Sequence, residues 1–473
     1  MSNLDNKLDS FSDKKNIAEY ALKQAEKISQ YAEVYVENSI GYGYAIEQGK
    51  INGGAFSDRS GMRIRIIKEG RLYTLSTNIL KKDKIDELLS NVKKFKSKQN
   101  GLSEEKAAKD NIVIKEKIDV NEENFLNTLY SYEKILKTRA YVPYRSIYGN
   151  YERDNTYYIN TDGSEISSSI PYVSVFASFI VHAEDRIRER MLQLGGVGGL
   201  EALDGADKRI AKEARTMKHI LERGVSLPDY ELSKIKNVVI SPEIAGIAAH
   251  ESVGHPNEAD RVFGREAAQA GRSYITKDNL GMKIGSDAVT IVDDPTIEHS
   301  YGFYLYDDEG IKARPKELIK NGMQNELLLN REYAYELNTK SNGSARSDNY
   351  TNEPIIRMSN TYLKPSNEDI NVSELIWEAR NGIYIKSFTE WNIDDTRSFS
   401  LYQGNEAYLI DRGGITMPVL NFKLETSTLE FWNAVDVVAN DFELFLGTCG
   451  KGEPEQGVPV TMGGASALLR FKK

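Results

Sequence analysis

Apolar positions recur at helical spacing over residues 15–28, where Ala18, Ala21, Leu22, Ala25 and Ile28 share one side. The pattern then changes to alternation. Residues 33–37, 43–47, 62–67 and 72–75 read as strands, with turns expected at Gly53-Gly54 and Glu69-Gly70. Helices are predicted over 81–94 and 122–136, separated by a charged connector at 102–110. Alternation returns at 144–151, 156–160 and 164–182, and Thr161-Asp162-Gly163-Ser164 is a hairpin signal between the last two. The glycine run at 195–199 reads as a loop or hinge ahead of a helix over 200–223. Its Gly-x-Gly at 196 and 198 is followed by Glu201 where a dinucleotide fingerprint needs glycine, so that reading fails.

Gly224-Val225-Ser226-Leu227-Pro228-Asp229 has linker composition, and the domain boundary is placed there. The expected organisation is an N-terminal domain over 1–223, a linker at 224–232 and a C-terminal domain over 233–473. The second domain opens with a strand at 237–240. Strands are predicted at 289–292, 302–306, 382–388, 407–410 and 458–462, and helices at 265–270, 332–339, 372–380 and 429–437. The fold class is α+β: an N-terminal α+β domain with antiparallel strands and helices, then a β-rich C-terminal domain.

Composition narrows the partners. Across 473 residues the formal net charge is −9, which disfavours a nucleic-acid partner. No run of about 18 apolar residues occurs, so no membrane-spanning helix is expected. The polar start lacks the apolar region of a signal peptide, and one cysteine precludes an intrachain disulfide. A cytoplasmic location with no membrane partner is the expectation.

The chemistry concentrates in His250-Glu251-Ser252-Val253-Gly254-His255, which holds two of only five histidines. Imidazole nitrogens are good zinc donors, and a neighbouring carboxylate can take a proton from water. The familiar metallopeptidase helix spaces its histidines four apart; here they are five apart. At about 100° per residue, the second ring would point about 140° from the first on a regular helix. Either a π-type bulge absorbs the extra residue or the helix ends between the histidines. Ser241-Pro242-Glu243 looks like a helix start, and Gly246 leaves room for a neighbour on the His250 face. Gly254 reads as a C-terminal cap and Pro256 disfavours helix at His255, so His255 is expected at or just past the helix end. A third ligand is needed, and Glu258, Asp260 and Cys449 are the candidates. Cys449 lies among Gly447, Gly450 and Gly452, which read as a tight loop, with Lys451 placed to lower the thiol pKa. His182, His219 and His299 lack ligand-spaced partners and read as structural or solvated.

Together the motifs resemble the TldD/PmbA metallopeptidases, specifically the TldD-type catalytic subunit, over nearly the full length. The resemblance rests on Ala249 to His255 with Glu258-Ala259-Asp260, on Asp307-Asp308-Glu309-Gly310, on Asn342-Gly343-Ser344-Ala345-Arg346 and on Thr448-Cys449-Gly450-Lys451. It implies zinc bound by His250, His255 and Cys449, with the metal-site helix carried by the C-terminal domain and Glu251 as general acid/base. It further implies cleavage of unfolded or short peptides, and pairing with a TldE/PmbA-like subunit or as a homodimer. Two departures stand out: Ser344 replaces a histidine found in many members, and 388–392 lacks the paired glycines of relatives. Arg346, Tyr301 and Tyr304 are candidate oxyanion donors. A deformylase-like amidase is disfavoured by the histidine spacing and the downstream cysteine. A non-catalytic peptide-binding subunit is the alternative.

Overall fold

Two stretches predicted as separate strands are fused in the computed structural model into one, Tyr31–Glu47. The structure describes residues 11–92, 101–265, 272–452 and 454–472. This strand runs antiparallel to Lys50–Lys68, and the chain reverses at Gln48 and Gly49, whose φ values are 50° and 80°. Two successive positive φ angles give the turn whose twist suits a hairpin. The turn expected at Gly53-Gly54 is therefore overturned: these glycines pair with Ala45 and Tyr44 inside the ladder. A Cβ at Gly54 would lie 2.8 Å from the Tyr44 ring, so close cross-strand packing explains that glycine.

Residues 144–151 and 156–160 likewise join as Tyr144–Asn160, paired through the predicted 161–164 turn with Glu165–Ala183. In this sheet two strands were not foreseen. Lys109–Val113 lies at the end of the predicted connector, and Arg186–Val197 swallows the first part of the glycine run. A Cβ at Gly195 would collide with the Val173 carbonyl, so that residue serves strand approach, not a hinge. The resulting seven-stranded sheet runs from Arg71–Thr77 through Lys50–Lys68, Tyr31–Glu47 and Tyr144–Asn160 to Glu165–Ala183, which carries both unforeseen strands.

Helix Phe11–Glu26 lays Ala18, Ala21 and Ala25 on Val34, Val36 and Ile64 of this sheet. Helices Glu122–Lys137 and Ala206–Arg223 cover it further along, burying Phe125, Leu129, Ile210 and Met217 with Val173 and Val175. The helix predicted over 200–223 is broken: a short turn at Leu200–Leu203 is followed by Gly205 at φ 79°. The helix predicted over 81–94 is observed as Lys82–Ser90.

The C-terminal half holds two further large sheets. One places Asn237–Ile240 between Gly382–Ile393 and Ala467–Arg470. The other ends in Asn360–Leu363, Gln456–Gly464 and Glu443–Lys451. Val238, Ile240, Ile244, Ile247, Trp432 and Val460 belong to the core they enclose. Helices Arg331–Glu336, Val372–Ala379 and Thr428–Ala434 fall close to prediction. The expected strand at 302–306 is instead a chain of turns, with Phe303 N–H bonded to Ser300 O and Tyr304 N–H to Pro295 O. The helix expected over 265–270 lies, past Arg265, outside the described residues. No described helix is long and apolar enough to cross a membrane.

Candidate metal centre

The strand Asn237–Ile240 delivers the chain directly into the site helix, Pro242–Ala249. Ser241 caps it as its sequence predicts: Oγ accepts from the N–H groups of Glu243 and Ile244, and Pro242 occupies the first turn. What approaches at Gly246 is the backbone of Gly463, with which any Cβ would collide. The helix thus rests on the strand Gln456–Gly464, backbone against backbone.

Beyond Ala249 the helix does not end. It widens into a π turn over His250–Gly254, marked by the His255 N–H donating to His250 O, and continues as a 3₁₀ turn at His255–Asn257. His255 keeps helical angles (φ −56°, ψ −45°) despite Pro256. The expected termination between the histidines is therefore replaced by the bulge that absorbs one extra residue. Gly254 is not a left-handed cap; its φ is −56°, and a Cβ there would strike the Met358 sulfur. A widened turn frees carbonyls, and side chains take them up. Asn257 Nδ2 donates to Val253 O at 2.8 Å and Tyr274 OH to Ser252 O at 2.9 Å. Ser252 Oγ donates to Ala248 O and accepts from Trp432 Nε1 at 2.9 Å.

Cys449 arrives on a strand, Glu443–Lys451, not on the tight loop expected. Alternation turns Cys449 and Lys451 inward and Thr448 and Gly450 outward. The thiol meets the imidazoles across the 194 residues that separate it from His255: Sγ lies 3.5 Å from His255 Nε2. The His250 and His255 rings stand edge to face with centroids 5.0 Å apart. Donor atoms of His250, His255 and Cys449 all lie within 4.8 Å of one another, and all three residues are buried.

This donor set fits zinc. Two imidazoles and a thiolate are ordinary zinc ligands, and bonds of about 2.1 Å to nitrogen and 2.3 Å to sulfur give a tetrahedral N–S edge of about 3.6 Å. The buried Nδ1 of His250 has no hydrogen-bond partner, the condition of a nitrogen with a lone pair to give. Burial lowers the pKa of both histidines, which favours the neutral, ligating form. Burial pushes the Cys449 thiol up, but His255 and Arg357 outweigh it and hold the thiol below its ordinary range.

Glu258 and Asp260 stand behind these donors. Glu258 Oε2 contacts His255 Nδ1 at 3.0 Å, Arg261 Nε at 3.2 Å and Lys451 Nζ at 3.2 Å. Burial raises this carboxyl's pKa, yet Lys451 and His255 carry it well below the carboxylate range. It is placed to fix the His255 ring, the usual partner of a ligating imidazole. Asp260 binds Lys451 Nζ at 2.7 Å, so Lys451 serves the acids and not the thiol as expected.

The three donors and Glu251 line a cavity of about 1010 Å³ between Arg186–Val197, Glu443–Lys451 and the Gly382–Ile393 hairpin. Residues 388–391 form part of its wall. Arg346, Tyr301 and Tyr304 do not line it. Arg346 donates to Met358 O and packs over Tyr304, whose hydroxyl is given to Gly343 O, while Tyr301 packs on Tyr172. The expectation for the oxyanion donors is therefore corrected: Arg346 and Tyr304 are given to backbone carbonyls and Tyr301 to packing, away from the cavity. Sequence reasoning missed Arg397, whose Nη1 meets Glu251 Oε2 at 2.5 Å; no local spacing links residues 146 positions apart. His182 and His219 are exposed, and His299 Nδ1 lies 3.2 Å from Val197 O.

Comparison with known proteins bears on most of the chain. Profiles of the PmbA/TldA metallopeptidase match in three parts: domain 1 over 32–94, the central domain over 110–218 and the C-terminal domain over 233–470. A metalloprotease of Methanocaldococcus jannaschii is 29% identical over 463 residues, 93% of this chain and 97% of that protein. A zinc metalloprotease TldD homolog of Saccharolobus solfataricus is 27% identical over 380 residues, 77% of this chain and 79% of that one. Among solved structures, TldE from Thermococcus kodakarensis superposes with a TM-score of 0.71 at 15% identity, covering 96% of this chain and 99% of the other. This likeness bears on the fold alone. With the profile of its C-terminal domain spanning half the chain, the protein belongs to the PmbA/TldD metallopeptidase family.

Proposed function

We propose that the protein is a zinc-dependent peptidase that hydrolyses bonds in unfolded or short peptides, with His250, His255 and Cys449 as metal ligands and Glu251 as general acid/base. The observation that carries this reading is the convergence of two imidazoles and a thiolate at zinc-ligand spacing. The metalloprotease names of full-length relatives and the zinc in one of them support it. In keeping with this, we take residues 233–473 as the catalytic domain, 1–223 as the N-terminal domain and 224–232 as the linker.

When bound, zinc would supply a Lewis acid that polarises a carbonyl and acidifies water. The chain's own groups supply the rest. Glu251 reaches into the cavity beside His250 and is only 6% exposed. Its carboxylate takes a proton from the attacking water and returns it to the leaving amine nitrogen. Glu258 keeps the His255 ring turned to the metal. The peptide enters extended: Glu443–Lys451 pairs with one strand only among the described residues, and its free edge can take a main chain without reading its sequence. A TldE-like subunit or a second copy would complete the assembly, a reading motivated by the TldE fold likeness.

Glu251→Gln is the deciding variant. It should keep one zinc per chain and lose at least about 100-fold in kcat on an unstructured peptide, the usual worth of a positioned base. Retained turnover would refute the assignment of Glu251. Wild-type protein that carries no zinc at neutral pH would instead favour a non-catalytic peptide-binding subunit.

A further inference from the structure

Arg397 enters the site from a part of the chain that the histidine motif does not touch. It sits at the tip of the hairpin joining Gly382–Ile393 to Phe399–Asp411. The Arg397 and Glu251 side chains are 16% and 8% exposed, and among the described residues this is the ion pair Glu251 makes. Other cations at the cavity are engaged elsewhere: Arg190 with Glu213 and Glu243, Arg261 with Glu258, Lys451 with Glu258 and Asp260.

The tip is built to present this side chain. Arg397 has φ 64°, a left-handed backbone that arginine rarely adopts and that glycine or asparagine would take more easily. Its surroundings hold it there. Asp394 Oδ1 accepts from the N–H groups of Ser398 and Phe399 at 2.6 and 2.7 Å, and Asp394 O accepts from the Arg397 N–H at 2.9 Å. On the other side, Thr428 Oγ1 donates to Arg397 O at 2.6 Å. A tip that only had to turn would not need a long cation at its strained position. Strain retained by a rigid frame, with the side chain aimed at a reactive group, points to a task at that group.

We propose that Arg397 is a positioning residue for Glu251. Its Nη1 engages Oε2, fixes the carboxylate rotamer against the cavity wall and leaves Oε1 for proton transfer. Because the guanidinium hangs from the hairpin, the same contact ties the hairpin tip to the site helix across the mouth of the cavity. This rests on the reading of Glu251 as the base.

The test uses Arg397→Asn, Arg397→Lys, Glu251→Gln and the double variant Arg397→Asn/Glu251→Gln in the full chain. Zinc content, melting temperature, kcat and KM are measured on an internally quenched unstructured decapeptide. Asparagine suits the left-handed backbone and offsets part of the lost ion pair, so Arg397→Asn should stay folded and keep its zinc. Its kcat should fall about 10- to 100-fold, with KM changed by no more than about threefold, as expected when a supporting contact to a reactive group is lost. Arg397→Lys should recover a substantial part of kcat. In metal-free protein, the melting shifts of Arg397→Asn and Glu251→Gln should be non-additive, because each removes the same pair. A kcat for Arg397→Asn within about twofold of wild type overturns the proposal, as does loss of zinc in step with activity or additive melting shifts. Glu251→Gln separates the two readings. If it is inactive while Arg397→Asn is fully active, the base stands and the positioning role falls; if it is active, both fall.

Discussion

A buried carboxylate stays charged where cations or N–H donors compensate it, and Glu258 is 0% exposed. His255, Arg261 and Lys451 share its Oε2. Deleting the acid would leave buried cations short of their counter-charge and His255 Nδ1 without its acceptor. Glu258→Ala should therefore cost about 3–5 kcal/mol in chemical denaturation, the usual penalty for halving a buried ion pair. Zinc affinity should fall about 10- to 100-fold by competition with a chromophoric chelator, because the ring behind the ligand is no longer fixed. Glu258→Gln retains an acceptor for the ring and should lose less of both. An unchanged zinc affinity in Glu258→Ala would mean that the imidazole is oriented by packing alone.

At the scale of elements, the π turn is the unit that reconciles the five-residue spacing with two imidazoles that face one site. Its outer carbonyls depend on distant side chains, and Trp432, 0% exposed, anchors it through Ser252. Trp432→Phe removes that bond and leaves a void, which together should cost about 2–4 kcal/mol in denaturant unfolding. The sequence makes the beginning of this helix legible because Ser241, Pro242 and Glu243 act on neighbours three residues away. Gly246 is legible as a point of approach for the same reason: a missing side chain on the His250 face is a local fact. The middle is not legible. Gly254 resembles a cap in isolation, and only Met358, brought from the segment between Ile355–Ile356 and Asn360–Leu363, reveals why glycine is required. Cys449 looks like loop chemistry because three glycines flank it, yet those positions lie in and beside a ladder that pairs Cys449 with Val458. The long strands of the N-terminal half fail similarly, since Gly53 and Gly54 break the hydrophobic pattern without breaking the ladder. Periodicity reports what a residue does to its own segment; partners supplied by other segments leave no mark on it.

At the scale of the molecule, the N-terminal sheet is locked to the C-terminal half by buried charge. Arg65 lies between Glu33 and Glu309, at 2.7 and 2.9 Å. Glu37 accepts the Tyr350 N–H at 2.7 Å, with Arg59 and Asp154 beside it. Burial, then Asp154, push Glu37 up to about 7 despite Arg59, and burial does the same for Glu152. An unfolded chain releases these protons near the ordinary glutamate value of about 4.3, whereas the folded chain keeps them to about 7. In that window the folded state binds more protons, so stability contributed here falls as pH rises and stays lower above it. Melting curves from pH 5 to 8 should decline, and Glu37→Gln should flatten the decline; an unaltered slope would locate the titration elsewhere.

The site helix, through Gly246, and the thiol strand, through its ladder, rest on one common floor, Gln456–Gly464. The cage is consequently a property of the backbone, like a socket moulded before its ball is seated. Chelation should empty it without melting it: far-ultraviolet circular dichroism should hold steady in EDTA, and activity should return on adding zinc, with no refolding step between.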